Sequence, residues 1–445
     1  MKLHISHYSK RGYGLGKINS HKIEVAGTVI GDTICIDCGK RKRGRCANLV
    51  KVLAPSPDRV MPRCMHSGTC GGCAWQQKSY AAQLVTKQNF LQSLFSSTHL
   101  PLIPCVDPWH YRNKMEFSFS QDKKGNRFLG LIIAGSRGRV LNLKECYLTP
   151  PWFISIVKTL YSWWGKSGLL AYHPYSDRGS LRTLTLRDGK RTGEKMVYLT
   201  ISGNSKYFIN RDQINTFKEA VNRTLLNEDP SIFLRIHRIC KGKPSAYYEM
   251  HLSGPEWIKE ILYVHGRKLL FHISPSSFFQ TNTLQAEKLY TQTLALTNPK
   301  PTDTLLDLYC GMATLGIVFS PYVRKVIGIE VCVHAVCDAK MNIKMNKLSN
   351  ITICHGDVGM LLAQYVSPPD LCIVNPPRSG LDESVLKHLM RLTPKKILYI
   401  SCNPKTQSEN ISVFLQNGYI LKYVQGVDQF PHTPHIENIA ILIKP

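Results

Sequence analysis

A cysteine that follows a predicted strand is the first residue in this chain that could do chemistry. Residues 396–400 are strand formers, and Ser401-Cys402-Asn403-Pro404 follow them directly. Most cysteines are small buried hydrophobes. A thiol at the carboxyl end of a strand is also where an α/β enzyme holds a nucleophile. The segment around Cys402 alone favours a packed cysteine, so the choice depends on what the other strands carry.

Polar side chains also stand at the ends of other predicted strands in the C-terminal region. The strands alternate with helices, as in a doubly wound sheet, and end in a hairpin: 303–309, 325–330, 350–355, 370–374, 396–400, 420–427 and 437–443. The side chains are Tyr309, Glu330, Asp357 and Asn375, with Glu437 opening the last strand. Because ligands bind at the carboxyl ends of parallel strands, we expect these side chains to share one edge with Cys402.

The turn after the first of these strands suits a nucleoside without a pyrophosphate. It runs from Asp307 to Thr314 and lacks the GxGxxG pattern of a dinucleotide cradle. S-adenosylmethionine is the common ligand of this kind. Glu330 could hold two ribose hydroxyls or cap a helix, and Asp357 could contact an adenine edge or cap a helix. Both interpretations stay open for each carboxylate.

A methyl donor, a thiol and a carboxylate at one sheet edge are what methylation of a pyrimidine at C5 requires. That carbon is a poor nucleophile until a thiolate adds to C6 and makes it enolate-like. A base must then take the C5 proton so that the thiol can leave. We therefore expect Cys402 to be the nucleophile and Glu437 the base.

Three cysteines within ten residues predict a set of metal ligands. Cys64, Cys70 and Cys73 lie in a glycine-rich loop, and no βαβ unit precedes them to suggest a thioredoxin-type pair. Zinc and an iron–sulfur cluster remain, and both want four ligands. The best candidate for the fourth ligand is Cys146, and Cys105 is the second choice.

The charge of the chain predicts a polyanionic partner. It has 57 Lys+Arg against 30 Asp+Glu, a net charge of +27, which favours nucleic acid. No apolar run reaches the ~18 residues of a membrane span, and the N-terminus lacks a signal-peptide core. We expect a cytoplasmic monomer, with no membrane association, whose 15 cysteines are reduced.

The pattern along the chain predicts three domains. Residues 1–55 read as short strands of a small β-barrel, with a basic hairpin tip, Lys40 to Arg45, that suits phosphate groups. Residues 56–270 carry the cysteine loop, a helix near 78–95 and an α+β middle domain, in which 129–143 reads as strand. Residues 271–445 form the α/β domain, which opens with Ser274 to Asn282 and a helix at 283–297.

Four motifs resemble the RNA uracil-5 methyltransferase family over essentially the whole chain. They are Asp307-Leu-Tyr-Cys-Gly-Met, Asn375-Pro-Pro-Arg378-Ser-Gly380, Ser401-Cys402-Asn403-Pro404 and His432-Thr-Pro-His435-Ile-Glu437. The resemblance implies a Rossmann-like class I methyltransferase domain, an N-terminal TRAM barrel, and C5 methylation of an RNA uridine through a covalent Cys402 adduct. It implies an S-adenosylmethionine and uracil site lined by Gln280, Tyr309, Thr314, Glu330, Asp357 and Asn375. It also implies a [4Fe-4S] cluster on Cys64, Cys70, Cys73 and Cys146, as in the ribosomal-RNA branch, and so a 23S ribosomal RNA target.

The chain departs from this family at two positions, since Asn375 stands where Asp is usual and Thr314 where Asn is usual. The alternatives are a transfer-RNA uridine-5 methyltransferase and a non-catalytic RNA-binding protein that retains the fold. An amine methyltransferase would need no Cys402 and usually has an aromatic residue where Arg378 stands. A methylthiotransferase would need CxxxCxxC, whereas the spacing here is CxxxxxCxxC.

Overall fold

The computed structural model describes residues 1–37, 46–95, 99–136, 138–239 and 245–445. Its helices are α1 (Tyr80–Leu94), α2 (Pro151–Ser167), α3 (Arg211–Thr224), α4 (Thr283–Thr297), α5 (Thr314–Phe319), α6 (Val333–Met345), α7 (Val358–Gln364), α8 (Glu383–Leu392) and α9 (Pro404–Gln416). Its strands are β1 (Lys2–His4), β2 (His7–Tyr8), β3 (Gly14–Ile18), β4 (His21–Val25), β5 (Thr33–Asp37), β6 (Cys46–Ala54), β7 (Lys114–Gln121), β8 (Arg127–Ile132), β9 (Val140–Asn142), β10 (Leu181–Asp188), β11 (Lys195–Ser202), β12 (Ser231–Arg238), β13 (Ala246–Ser253), β14 (Ile258–Val264), β15 (Arg267–Ile273), β16 (Thr304–Leu308), β17 (Lys325–Glu330), β18 (Ile351–His355), β19 (Leu371–Val374), β20 (Lys396–Ser401), β21 (Ile420–Val427) and β22 (Glu437–Ile443). The predicted basic tip, Lys40 to Arg45, lies outside the described residues.

The first six strands form one sheet, in the order β1-β5-β6-β4-β3-β2. The two outermost strands, β1 and β2, follow each other in the chain. The residues between them bond to both sides of the sheet, since Ile5 donates to the Asp32 carbonyl and Ser6 donates to the Leu15 carbonyl. A small apolar core lies inside and includes Leu3, Val25 and Ile34. The chain from β1 to β2 thus joins the two edges of the sheet, which supports the predicted small barrel. The barrel itself stays a prediction.

Strands β7 to β13 form a mixed sheet of seven strands, in the order β13-β12-β11-β10-β7-β8-β9. Helices α2 and α3 cover one face with apolar side chains such as Phe153 and Phe217. The prediction of a strand over 129–143 is wrong, because β8 and β9 are separated by a turn. Gly135 has φ +71° in that turn, a conformation that glycine adopts without steric cost.

The hairpin of β14 and β15 packs with the C-terminal part of the chain. Its Leu262 and Phe271 share one hydrophobic core with Leu305 of β16 and Ile400 of β20. The predicted domain boundary at 270/271 falls inside β15. Helix α1 packs on the other face of the C-terminal sheet, where Leu91 joins the core that contains Tyr399.

The C-terminal sheet has the order β18-β17-β16-β19-β20-β22-β21. Strands β16 to β20 are parallel, and β22 is antiparallel both to β20 and to β21. Five strand ends and the start of β22 therefore meet at one edge. The predicted α/β class and the predicted terminal hairpin are confirmed. Among the described residues, none of the helices combines the length and the apolar character of a membrane span.

Candidate active site at the strand ends

The predicted nucleophile and the predicted base lie opposite each other on neighbouring strands. Ser401 at the end of β20 pairs with Asn438 of β22, so Cys402 and Glu437 occupy the next position of the antiparallel pair. Glu437 also pairs with Val427 of β21 on its other side. It is therefore on an interior strand, and it is only 3% exposed. This register brings together two residues that are 35 positions apart in the sequence.

Arg378 acts on both members of this pair. Burial, and then the Glu437 carboxylate, raise the pKa of Cys402, whereas a hydrogen bond from Arg378 to the thiol lowers that pKa. Burial raises the pKa of Glu437 to about 8, and the charge of Arg378 opposes the shift. Burial therefore disfavours the charged form of both groups, the thiolate and the carboxylate. Arg378 is the neighbour that favours the thiolate.

The loop between β21 and β22 is held by a buried ion pair to α1. Lys87 Nζ lies 2.6 Å from Asp428 Oδ1, and both side chains have no exposed surface. Lys87 also donates to the Phe430 carbonyl at 3.2 Å, and Tyr80 donates to Asp428 Oδ2 at 2.7 Å. Burial lowers the pKa of Lys87, whereas Asp428 raises it. The start of the loop that leads to Glu437 is thus fixed by α1.

The middle of the same loop is fixed at His432. The His432 backbone N–H donates to Gln83 Oε1 of α1 at 2.9 Å, and its carbonyl accepts from the Trp75 N–H at 3.0 Å. The ring of Trp109 stacks on the imidazole, with centroids 4.1 Å apart. Trp75 follows the cysteine loop directly, so this contact joins the cysteine loop to the segment before Glu437.

A second group of predicted residues lines a cavity at the ends of β16 and β19, here called the strand-end cavity. Four of the six residues predicted to bind the cofactor line this cavity: Gln280, Tyr309, Thr314 and Asn375. Leu308 pairs with Val374, so Tyr309 and Asn375 are neighbours at the strand ends. Tyr309 has φ +58°, in the left-handed region that costs a non-glycine residue energy. The turn is therefore held in a demanding conformation at the predicted ligand site.

Glu330 and Asp357 are placed by backbone contacts at the same edge of the sheet. Glu330 accepts from the N–H of Gly311 at 3.0 Å and of Cys332 at 2.7 Å. Asp357 caps α7 by accepting from the Met360 N–H at 3.0 Å. The capping interpretation of Asp357 is therefore correct. A carboxylate offers about four acceptor positions, so both side chains retain capacity for hydroxyl or amine donors.

The acceptor groups at the strand-end cavity suit a nucleoside that carries a positive charge and hydroxyl groups. Asp307 Oδ1 is buried without a hydrogen-bond partner, and burial raises the pKa of this residue to about 7. The cavity measures about 50 Å³, whereas pockets for ligands of this size measure roughly 300–1,000 Å³. We therefore expect the segment around Phe278, which lines the cavity and is 68% exposed, to move on binding.

The four cysteines predicted as ligands line one cavity of about 610 Å³, here called the cysteine cavity. The loop that bears Cys64, Cys70 and Cys73 is bonded to the segment before Cys146. The Met65 N–H donates to Glu145 Oε1 at 2.6 Å, and the Lys144 N–H donates to His66 Nε2 at 3.0 Å. The second choice, Cys105, instead lines a different cavity. The structure therefore brings together the preferred set.

Both metal hypotheses, zinc and an iron–sulfur cluster, stay predictions. Among the described residues, no three His, Cys, Asp or Glu side chains are close enough together to hold a single metal ion. Zinc needs four sulfurs each about 2.3 Å from one ion. An iron–sulfur cluster distributes its thiolates over several iron atoms. The N–H groups of His66 and Gly72 point at the sulfurs of Cys64 and Cys70, both at 3.4 Å, as donors to a thiolate would.

A third cavity, of about 580 Å³, opens at the nucleophile and is here called the thiol cavity. It lies between the end of β2 and the residues after it, helix α1, the start of α9 and the loop before β22, and Cys402 is part of its wall. Sequence reasoning did not anticipate it, because its walls come from segments that are far apart in the chain. Arg378 was also missed as a partner of Cys402. Its place three residues after Asn375, in the same strand-end loop, was the available signal.

Comparisons with known proteins indicate the family to which the chain belongs. The family model described as tRNA (Uracil-5-)-methyltransferase matches residues 245–360 and 358–445. An uncharacterized RNA methyltransferase of Protochlamydia amoebophila is 47% identical over 444 residues, covering 95% of this chain and 100% of that protein. One of Chlamydia trachomatis is 38% identical over 387 residues, covering 85% and 97%. A crystal structure of Pyrococcus abyssi tRNA (uracil-54, C5)-methyltransferase with S-adenosyl-L-homocysteine has a TM-score of 0.75 and 24% identity, covering 100% of both chains.

The fold and the relatives together define an RNA methyltransferase. The chain belongs to the RNA uracil-5 methyltransferase family, as its motifs predicted.

Proposed function

We propose that this protein methylates C5 of a specific uridine in RNA through a covalent bond between Cys402 and C6 of the base. The observation that carries the proposal is the register of β20 and β22, which sets Cys402 opposite the buried Glu437. A thiol and a carboxylate that are cross-strand neighbours can both reach one pyrimidine, as addition at C6 and removal of the C5 proton need. Arg378 supports the thiolate through its hydrogen bond with Cys402.

The chain's own residues supply the proton transfers and the nucleophile. The Cys402 thiolate forms a bond to C6, and the electron pair of the C5–C6 double bond moves to C5 and O4. S-adenosylmethionine, when bound, supplies the methyl group to this carbon. Glu437, as the carboxylate, then takes the C5 proton, the C5–C6 double bond re-forms, and Cys402 leaves C6 as the thiolate. A pKa of about 8 matches this role, because a general base works best when its pKa is near the working pH.

The residues that would hold S-adenosylmethionine are those gathered at the strand ends. Gln280, Tyr309, Thr314 and Asn375 line the strand-end cavity, and Glu330 and Asp357 border the same edge. We assign ribose hydroxyls to Glu330, which retains acceptor capacity beyond its two backbone bonds. Asn375 takes the place of the usual Asp by hydrogen bonding without charge.

We further propose that Cys64, Cys70, Cys73 and Cys146 hold a [4Fe-4S] cluster. The shared cavity and the N–H groups that point at two of the sulfurs support it. Protein purified without oxygen should be brown and contain about four irons per chain. Stoichiometric zinc without iron would contradict the proposal, and so would an unchanged iron content in Cys146→Ala. Cys105→Ala is the matched control and should keep its iron.

The RNA that is methylated is proposed to be 23S ribosomal RNA. The four cysteines and the N-terminal sheet support this choice, because the cluster marks the ribosomal-RNA branch that the chain resembles. Transfer RNA is the second candidate, since both the matching family model and the similar crystal structure carry a transfer-RNA name. A cytoplasmic location and a monomeric state complete the proposal.

Mapping 5-methyluridine in total RNA, with and without the gene, tests activity and target together. The proposal expects one uridine of 23S RNA to lose its methyl group and to regain it on complementation. Loss from transfer RNA alone would support the second candidate. RNA that keeps every 5-methyluridine, together with purified protein that transfers no methyl group to any RNA fraction, would contradict the function.

A further inference from the structure

The thiol cavity is larger than the target uracil needs, and its walls are chemically distinct from the strand-end cavity. Tyr8, Trp75 and Phe90 supply aromatic surface, and Lys10 and Lys405 supply positive charge. The volume of about 580 Å³ is within the range for a bound small molecule. Aromatic walls with cations suit a nucleotide, because bases stack on such rings and phosphates pair with lysines.

We propose that the thiol cavity binds a second nucleotide of the RNA substrate, adjacent in the strand to the uridine that is methylated. This inference rests on the proposed function, since it requires RNA at Cys402. The target uracil must touch Cys402 and the strand-end cavity at once. The thiol cavity includes Cys402 but none of the six residues assigned to the cofactor. Its occupant is therefore the neighbour of the target base.

The aromatic wall is ordered before RNA arrives. The rings of Tyr8 and Trp75 lie 5.1 Å apart, and Lys78 Nζ sits 4.9 Å from the centre of the Tyr8 ring. Trp75 is anchored by a 2.8 Å hydrogen bond from its indole N–H to the Gly12 carbonyl. Phe90 on α1 is instead 44% exposed. It is the member whose surface a stacked base would cover.

The opposite wall suits the phosphate of the same nucleotide. Asn403 precedes α9 without a side-chain capping bond, and Pro404 occupies the first turn, so N–H groups of that turn remain available. The side chain of Lys405 stands exposed beside them. Glu409 also lies in the wall and is the one carboxylate among the residues that line the cavity. Positive charge exceeds negative charge at the cavity, because Lys10 and Lys405 have no acidic partner among the described ion pairs.

The inference places the N-terminal sheet beside the nucleophile. Tyr8 is the last residue of β2, and Lys10 comes two residues later; both line the cavity. Gly12 packs against the loop that leads to Glu437, because a Cβ at this position would lie 2.9 Å from Pro434 Cγ. The N-terminal segment therefore closes one side of the cavity at Cys402. RNA held there bridges the sheet and the nucleophile.

The test combines a protein variant with an RNA that lacks one base. Phe90→Ala should raise KM for the RNA fragment about tenfold, as loss of one base–aromatic stack does. Removing the base next to the target uridine should raise the wild-type KM by a similar factor. The two changes together should cost little more than one alone, because both remove the same stack. Val85→Ala is the matched control, since Val85 is 59% exposed on the same helix and lies outside the cavity.

Lys405→Ala should lower the log–log slope of RNA affinity against salt by about 0.7, the value for one single-strand phosphate contact. Lys387→Ala on α8 is its control and should leave the slope unchanged. If wild-type protein methylates the RNA while Phe90→Ala equals Val85→Ala, the inference is wrong and the proposed function stands. Fully additive effects of the variant and the missing base would equally overturn it. If wild-type protein methylates no RNA, the proposed function itself fails.

Discussion

Removing Lys87 should destabilise the protein far more than removing an exposed lysine or arginine from an ion pair. The Lys87–Asp428 pair has no exposed surface on either side chain. Lys87→Met leaves the Asp428 carboxylate buried with only the Tyr80 hydroxyl as partner. Loss of one member of such a pair costs about 3–5 kcal/mol, whereas replacing both members with apolar residues is often close to neutral. The double variant Lys87→Met/Asp428→Leu should therefore recover much of the loss.

The matched control is the pair of Arg223 and Glu219, which are 3.2 Å apart with side chains 79% and 59% exposed. Arg223→Met should cost only about 0.3–0.5 kcal/mol, as for other exposed pairs one helical turn apart. Urea unfolding followed by tryptophan fluorescence compares the three variants with the wild type. An equal cost for Lys87→Met and Arg223→Met would refute the reasoning. A double variant no more stable than Lys87→Met would refute it too.

Three further predictions concern the active site. Burial raises the pKa of Glu437 from 4.5 to about 8, so its protonated form stabilises the fold fully below pH 4.5, and this contribution is lost as the pH rises through about 8. Unfolding of wild type and Glu437→Gln between pH 5 and 9 should show a steeper decline for wild type, and parallel curves would contradict the shift. Arg378→Ala should raise the pKa of Cys402 and move the pH–rate profile upward, with Arg378→Lys intermediate; an unmoved profile would remove Arg378 from thiolate support. Asn375→Asp should keep methylation within about tenfold, roughly 1.4 kcal/mol, and abolished activity would disprove the hydrogen-bonding role.

The C-terminal domain could be read from sequence because its signals are local. Each strand of β16 to β20 is a short apolar run, and its polar end residue follows in the chain, so Glu330 and Asn375 were placed by strand order alone. Helix α4 has the predicted bounds, 283–297, since Asn282 caps it by accepting from the Gln285 N–H. The strand-end placement of Cys402 and Glu437 follows from the predicted hairpin, which β21 and β22 confirm.

Contacts between distant segments could not be read in this way. The Lys87–Asp428 pair joins residues 341 positions apart, and a lone lysine in a helix gives no sign that it is buried. The thiol cavity needs the position of α1 relative to the N-terminal sheet, which no local pattern encodes. The turn at Gly135 was missed because the alternation of apolar residues resumes in β9 after it. The hairpin of β14 and β15 joined the C-terminal core through packing, across the predicted boundary at 270/271.

Trapping the covalent RNA adduct tests the central claim most directly. Thiolate addition comes before methyl transfer, and loss of the C5 proton comes after it. Glu437→Gln incubated with RNA and S-adenosylmethionine labelled in its methyl group should therefore accumulate a labelled protein–RNA band on a denaturing gel. Cys402→Ala should give no band and no methylated RNA. A Cys402→Ala variant that methylates RNA at a rate comparable to wild type would contradict the account, and so would a Glu437→Gln variant with wild-type turnover and no adduct.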